Sequence, residues 1–128
     1  MQTLYVIAGA LAVVTGLAHS VLGERLIFRR LRRGGLVPSL AAPPLGTRHV
    51  RILWATWHLA SVFGWALAGL LFGLAQGGGD MASLAVGAIV FAYLGGAVLV
   101  LVGTRGRHPG WIALCAVAVL TWVAARGA

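Results

Sequence analysis

Three observations predict that this sequence forms an all-α integral membrane protein, a four-helix transmembrane bundle. Of the 128 residues, 60% are hydrophobic and only 9% are charged, a composition that soluble domains of this size do not have. Four apolar runs approach the roughly 20 residues that a helix needs to cross the hydrocarbon. Strands with open edges would leave backbone groups unpaired in lipid. We therefore expect four helices packed in a single domain over residues 1–128.

The predicted helices follow one another at about 4–22, 52–74, 81–102 and 110–125. The last is the shortest, and it spans the membrane only if Pro109 and Gly110 form its first turn, where proline is well suited. Two of the connections are short, as in helix hairpins, whereas 25–51 forms a long basic loop. After Gly35 this loop contains three prolines and no charge until Arg48. It is predicted either to fold over the mouth of the bundle or to serve as a plain linker.

The arginines predict the orientation. All ten basic residues are arginines, and nine of them lie between the first and second helices or between the third and fourth. The positive-inside rule makes that side cytoplasmic and both termini periplasmic or exterior. The start, Met1-Gln2-Thr3, has no basic region, so no cleaved signal peptide is expected. The alanine, glycine and arginine bias is typical of a GC-rich bacterial genome and predicts the bacterial cytoplasmic (inner) membrane.

The net charge of +8 is explained by topology and lipid contact. A polybasic segment beside a membrane helix is attracted to the anionic cytoplasmic leaflet by about 1 kcal/mol per charge. No recognised nucleic-acid module accompanies the arginines, so anionic lipids are expected as partners and nucleic acid is not. The predicted headgroup-binding residues are Arg25, Arg29, Arg30, Arg32 and Arg33.

Four polar residues fall at the basic end of the predicted helices, namely His19, Glu24, His58 and His108. His19 lies about one turn inside the first helix and His58 nearly two turns inside the second. Helical side chains lean toward their own N-terminus, which brings the two imidazoles to one depth. His108 precedes Pro109 at the same boundary. Polar groups in hydrocarbon are costly unless they are paired, so such a cluster indicates a functional site.

Helical spacing predicts which side chains of the first two helices point toward each other. On the second helix one stripe with polar members recurs at spacings of three and four, formed by Arg51, Trp54, His58, Ser61 and Trp65. On the first helix a stripe of small residues is formed by Ala8, Ala12, Thr15 and His19. Helices in membranes turn such stripes toward each other, so both histidines are expected to face the bundle interior. Glu24 is about 140° around the helix from His19, and its expected partners are Arg25 or Arg51.

Three imidazoles and a carboxylate form a donor set suited to zinc, iron, copper or nickel. Alternatively, His58 and either His19 or His108 would ligate haem b, with its propionates on Arg25, Arg51 or Arg107 and its ring against Trp54 or Trp57. Neither reading has a ligand motif within one helix, and Cys115 is a lone thiol several turns away. A metal- or haem-binding membrane protein is nevertheless the leading hypothesis.

Two further classes stay open. In the first, the protein is a proton-coupled carrier or proton relay in which His58 and Glu24 change charge near physiological pH. In the second, it is an accessory or assembly subunit whose histidines and arginines bind lipid headgroups or a larger membrane complex. The open alternatives for its assembly are a homo-oligomer and a larger membrane complex. His49 is expected to be solvated. No nucleophile or nucleotide fingerprint is present, so the sequence leaves enzymatic activity undecided.

Overall fold

The structure, a computed structural model, describes residues 1–127 and is helical apart from its connections. Its long helices are α1 (Gln2–Leu26), α2 (Thr47–Ala75), α3 (Met81–Thr104) and α4 (Gly110–Gly127). A short 3₁₀ helix (Phe28–Leu31) follows α1, and there is no strand within the described range. All four helices are long and apolar enough to cross a membrane, which confirms the predicted all-α, multi-pass class. Ala128, the last residue of the expected single domain, lies outside the described residues.

The helices extend further at the basic end than the apolar runs predicted. This end, which carries nine of the ten arginines, comprises the end of α1, the start of α2 and the α3–α4 connection. The second helix begins at Thr47 instead of 52, so Arg48, His49 and Arg51 are helical. Hydropathy marks only the part of a helix that lies in hydrocarbon, whereas arginine stems reach the polar interface and let the helix continue. The last helix begins at Gly110, as expected.

Each helix packs mainly against its neighbours in the sequence, α1 on α2, α2 on α3 and α3 on α4. The four helices therefore form a row in which α2 and α3 are central. The most apolar stretch of α3 is 22% buried inside the protein, against 6% for that of α4. Large apolar side chains such as Leu4, Leu67 and Leu120 are exposed on this row. They present to lipid the surface that a membrane helix requires.

The buried core lies at the basic end and is formed by Phe28, Trp54, Ala55 and Val100. The α2 and α3 backbones approach closely there, because a Cβ atom added to Gly103 would lie 3.1 Å from both Ala55 and Trp54. Dense packing of this kind restricts side-chain motion. It holds the Trp54 indole, which is only 5% exposed, at a fixed height beside α1.

The contact between α1 and α2 is made by aromatic rings on glycine. The buried residues of α1 are Gly9, Gly16 and Gly23, which are seven residues apart. A Cβ atom at Gly9 would lie 2.8 Å from Phe72, one at Gly16 would lie 2.5 Å from Trp65, and one at Gly23 would overlap Trp57. The bare backbone of α1 is thus the seat for three rings of α2, as small residues at membrane helix interfaces allow.

This glycine stripe corrects the expected facing of the first helix. Ala8 and Thr15 are exposed, while Ala12 and His19 are only partly buried. The predicted stripe is therefore rotated away from the true interface, although His19 still reaches α2. Alanine and glycine look alike in a hydropathy pattern, but only glycine lets a ring contact the helix backbone.

The proline-containing loop is ordered, which favours the first of its two predicted forms. Its backbone turns back on the 3₁₀ helix, with the N–H groups of Ser39 and Leu40 donating to the Leu31 carbonyl at 2.9 and 3.0 Å. The buried Pro38 accepts a hydrogen bond from Arg51 Nε at 3.1 Å. These bonds tie the loop across the basic end of α1 and α2.

At the opposite end, Asp80 caps α3. Its carboxylate accepts from the backbone N–H groups of Ala82 and Ser83 and from the Ser83 hydroxyl, at 3.0, 3.3 and 2.5 Å. Such a cap satisfies backbone donors that a helix leaves unpaired in its first turn.

A methyl group at Gly16 is predicted to destabilise the protein. In Gly16→Ala the new Cβ meets the rigid Trp65 ring, and such overpacking costs about 1–3 kcal/mol, more than the gain of about 1 kcal/mol in helix propensity. Gly87→Ala is the matched control, because no atom lies within 4 Å of its Cβ position. Unfolding in mixed detergent, followed by circular dichroism, measures the difference. Equal stabilities of the two variants would contradict the ring-on-glycine interface.

Asp80 is predicted to make stability depend on acid pH. The hydrogen bonds from the Ser83 side chain and backbone lower the pKa of Asp80. The unfolded state therefore binds this proton more readily, so the stabilisation is present above the ordinary pKa of aspartate and is lost as the pH falls through the lowered pKa. The unfolding midpoints of wild type and Asp80→Asn are compared from about pH 6 to pH 3. The difference between the two unfolding midpoints is expected to narrow on acidification. A difference that does not depend on pH would contradict this role of Asp80.

Candidate functional site

Glu24, in the last turns of α1, contacts three groups from two other segments. It forms an ion pair with Arg32, accepts a hydrogen bond from the Trp54 indole N–H at 3.2 Å, and lies 3.7 Å from His58 Nε2. Arg32 follows directly after the 3₁₀ helix, where the chain turns back toward α1. The carboxylate is therefore enclosed by the loop on one side and by α2 on the other.

The expected partners of Glu24 are not the ones observed. Arg25 is exposed, and Arg51 donates to the Pro38 carbonyl. Spacing along a helix cannot predict Arg32, because its position depends on the turn made by the 3₁₀ helix. Arg32 also has a buried Nε without a hydrogen-bond partner. It was expected only as one of five lipid-binding arginines.

His58 has a polar neighbour at each ring nitrogen. Its Nδ1 lies 2.9 Å from Ser20 Oγ, and its Nε2 faces Glu24. The Trp54 ring packs edge-on against the imidazole, with the ring centroids 5.0 Å apart. The predicted stripe on α2 thus places Trp54, His58 and Ser61 on the face that meets α1.

A chain of hydrogen bonds continues from His58 into the helix pair. The Ser20 hydroxyl donates to Ser61 Oγ at 2.8 Å, and the Ser61 hydroxyl donates to the Gly16 carbonyl at 2.8 Å. Ser61 is only 2% exposed, whereas Ser20 and His58 are half-buried.

The direction of the chain is fixed by its last member. A carbonyl only accepts, so Ser61 gives its proton to Gly16 and must accept from Ser20. Ser20 then has no proton left for His58 and accepts from Nδ1–H. The imidazole consequently carries a proton on Nδ1, and the Nε2 lone pair of the neutral ring faces the Glu24 carboxylate. With a neutral ring, two acceptors thus face each other, with 3.7 Å between Nε2 and the carboxylate.

His19 takes part in a second, separate contact between α1 and α2. Its ring stacks on Trp57 with the centroids 4.4 Å apart and the planes 7° from parallel. Its Nε2 lies 3.2 Å from the Trp57 carbonyl, while the Trp57 indole N–H donates to the His19 carbonyl at 3.0 Å. His19 is thus engaged in packing, close to the chain but not a member of it.

His108 does not join the other histidines. It lines a different cavity, beside Arg48, His49, Arg51 and Arg107, whereas His58 and Glu24 line a groove between α1 and α3. The expected convergence of three imidazoles assumed that the helices close into a bundle. In the observed row, α4 packs on α3 and lies away from α1. The four residues expected to support the metal or haem ligands are divided in the same way. Trp54 and Ser61 lie near His58, whereas Arg51 and Arg107 line the cavity with His108.

The expected metal ligands are only partly brought together. Within residues 1–127, no group of three or more His, Cys, Asp or Glu side chains is placed to hold a metal ion. Of the expected ligands, His58 and Glu24 are adjacent, but both nitrogens of His58 already face partners. The three-histidine site is not assembled in this conformation, and metal or haem binding stays a prediction from the sequence.

Two grooves flank the chain. The first has a volume of about 420 Å³ and is lined at one end by Glu24, Arg32 and His58, and elsewhere by apolar side chains that include Val62 and Leu99. The second, of about 290 Å³, lies on the other side of the α1–α2 contact and is lined by residues that include Thr15, His19 and Ser61. The Ser20–Ser61 hydrogen bond connects them.

Ser20 is a member of the site that sequence reasoning missed, and a signal for it was present. Ser20 and Glu24 are four residues apart, so they share one face of α1. That face matches the stripe of Trp54, His58 and Ser61 on α2.

The ion pair between Arg32 and Glu24 is predicted to stabilise the basic end. Arg32→Gln leaves the carboxylate without its counter-charge and lowers the free energy of unfolding by about 1–3 kcal/mol, as expected for hydrogen bonds to charged groups. Arg25→Gln, which removes the same charge from the exposed face of α1, changes it by less than about 0.5 kcal/mol. Detergent unfolding of wild type, Arg32→Gln, Glu24→Gln and the double variant gives the coupling energy between the two side chains. A coupling of zero would contradict the pair.

The site is therefore a polar chain between two apolar helices, with an ion pair at its mouth and open grooves beside it.

No protein-family model matches this sequence, and no curated protein and no solved structure matches it.

Proposed function

We propose that this protein is a proton-coupled carrier or proton relay, and that the chain Glu24–His58–Ser20–Ser61 takes up and passes on the proton. The observation that carries the proposal is the fixed direction of the hydrogen bonds, which leaves two acceptors facing each other at Glu24 and His58 Nε2. A site with this arrangement binds a proton when one is offered.

Imidazole is suited to hold that proton, because it is the side chain that changes charge nearest to neutral pH. The Arg32 guanidinium compensates a negative charge on Glu24. A proton on Nε2 then creates an imidazolium that donates toward the carboxylate, and the net charge of the three groups rises by one. The pair is expected to titrate as a unit, since the two groups are in contact.

The onward path runs through hydroxyl groups. Protonated His58 releases its Nδ1 proton to Ser20 Oγ, Ser20 passes its own proton to Ser61, and Ser61 turns from the Gly16 carbonyl to deliver a proton to water in the second groove. The chain extends from Gly16 to Glu24, a rise of eight residues or about 12 Å along the helix, whereas the hydrocarbon is roughly 30 Å thick. Water in the grooves has to supply the remaining distance.

The location of the site is part of the proposal. Nine of ten arginines lie at the end that holds Glu24 and Arg32, and the positive-inside rule favours that end as cytoplasmic. Both termini would then be periplasmic or exterior. Composition supports a bacterial cytoplasmic membrane, and protons would exchange with the cytoplasm at this mouth.

The other two hypotheses have narrower support. A metal or haem centre draws on two adjacent groups only, His58 and Glu24. An accessory or assembly subunit draws on the arginine-rich mouth and the exposed apolar faces, which any small multi-pass protein presents. The ordered chain of four side chains supports proton transfer better than either.

A proton-flux measurement tests the proposal. Purified protein is placed in vesicles that contain a pH-sensitive dye, and a pH gradient is imposed with potassium and valinomycin as charge compensation. Wild type is expected to collapse the gradient faster than empty vesicles. His58→Gln slows this by roughly 100-fold, the contribution typical of a positioned proton-transfer group, and Ser61→Ala slows it as well because the chain is broken.

Thr56→Val is the matched control. Thr56 lies two residues from His58 on an exposed face of α2 and bonds only carbonyl groups of its own helix. Its substitution is expected to leave the flux unchanged. Flux equal to that of empty vesicles, or flux that survives in His58→Gln, would refute the relay.

A further inference from the structure

The cavity that His108 lines is separate from the two grooves beside the chain and lies at the basic end, between α2 and the α3–α4 connection. It has a volume of about 610 Å³, and its polar lining residues are Arg48, His49, Arg51, Thr104, Arg107 and His108. Three guanidinium groups and two imidazoles thus surround one space, and no carboxylate is among them. None of these residues belongs to the chain from Glu24 to Ser61.

Within residues 1–127, no acidic side chain neutralises the positive charge of this cavity. The sequence has only two acidic residues. Glu24 is paired with Arg32 on the far side of α2, and Asp80 caps α3 at the opposite end of the helices. Instead of acidic partners, Arg51 has the like charges of Arg105 and Arg107 near it. Such a cluster of like charges is relieved by an anion from outside.

Both imidazoles are held in the form that donates a hydrogen bond. His49 Nδ1 accepts from the backbone N–H of Gly46 at 3.3 Å, and His108 Nδ1 accepts from that of Gly110 at 3.0 Å. A backbone N–H can only donate, so each Nδ1 is unprotonated and the neutral ring carries its proton on Nε2. Both histidines line the cavity, and each carries an Nε2–H donor in its neutral form.

Two helices also begin at this cavity. His49 lies in the first turn of α2, which starts at Thr47, and His108 precedes α4, which starts at Gly110. The N-terminus of a helix carries a partial positive charge and unpaired N–H groups, both of which favour anions.

We propose that this cavity binds a phosphate group, through the guanidinium groups of Arg48, Arg51 and Arg107 and the Nε2–H donors of His49 and His108. Planar guanidinium groups match the oxygens of phosphate in pairs, and the bonds are charge-assisted. The same chemistry is presented by a phospholipid headgroup and by free phosphate. This site was not among the five arginines that the sequence assigned to lipid, and it is independent of the proton chain.

Binding is tested with two probes on protein purified in a neutral detergent. Isothermal titration calorimetry measures inorganic phosphate, and a short-chain phosphatidic acid is compared with phosphatidylcholine of equal chain length. Arg107→Gln is expected to weaken binding of inorganic phosphate and of phosphatidic acid about tenfold, because one charge-assisted bond is lost. Phosphatidylcholine, whose phosphate is neutralised by its own choline group, is expected to bind more weakly than phosphatidic acid. Arg51→Gln tests the same site, but Arg51 also holds Pro38. If Arg51→Gln fails to fold, the result for the exposed Arg107→Gln variant decides.

Arg30→Gln is the matched control, since it removes one exposed arginine charge at the same end but outside the cavity. Binding of both inorganic phosphate and phosphatidic acid, weakened by Arg107→Gln and not by Arg30→Gln, supports a site for free phosphate. Binding of phosphatidic acid alone, with the same dependence on Arg107, supports a lipid headgroup. The proposal is overturned if neither probe binds wild type, or if Arg30→Gln weakens binding as much as Arg107→Gln. Circular dichroism confirms that each variant keeps its helices.

Discussion

The seating of α2 rings on the bare α1 backbone is the contact on which the site depends. Trp65 covers Gly16 and Trp57 covers Gly23, so the two helices approach more closely than side chains on both would allow. At that distance the Ser61 hydroxyl reaches the Gly16 carbonyl. Gly16 is thus both the seat of a ring and the acceptor that fixes the direction of the whole hydrogen-bond chain. Packing and chemistry here depend on the same residue.

Glu24, the acidic residue of the basic end, determines how the charge of that end is distributed. Glu24 neutralises Arg32 and, through the turn after the 3₁₀ helix, draws the loop over α1. The other arginines of that end receive no such partner within residues 1–127. One side of α2 therefore holds a compensated pair beside an imidazole, where a single proton changes the charge. Its other side holds an uncompensated cluster, where an anion is stabilised.

The sequence predicted what composition and local spacing determine and missed what chain reversals determine. Four helices followed from length and apolarity, and the stripe of Trp54, His58 and Ser61 followed from helical spacing. On α1, the seven-residue spacing of glycines was a better signal than the alanines. Arg32 and His108 were misplaced for one reason: their neighbours depend on the turn of the 3₁₀ helix and on the order in which helices pack. Neither is encoded in the periodicity of one segment.

The row of helices explains why the polar residues form two sites and not one cluster. The site at Glu24 is built from α1 and α2, whereas the cavity around Arg51 is built from α2 and the α3–α4 connection. Between them lies the core of the basic end, with Trp54 and Ala55 almost fully buried. Trp54 belongs to both regions, because its ring packs in this core while its N–H donates to Glu24. The apolar core separates the two sites, and the Trp54 indole joins this core to Glu24 by direct contact.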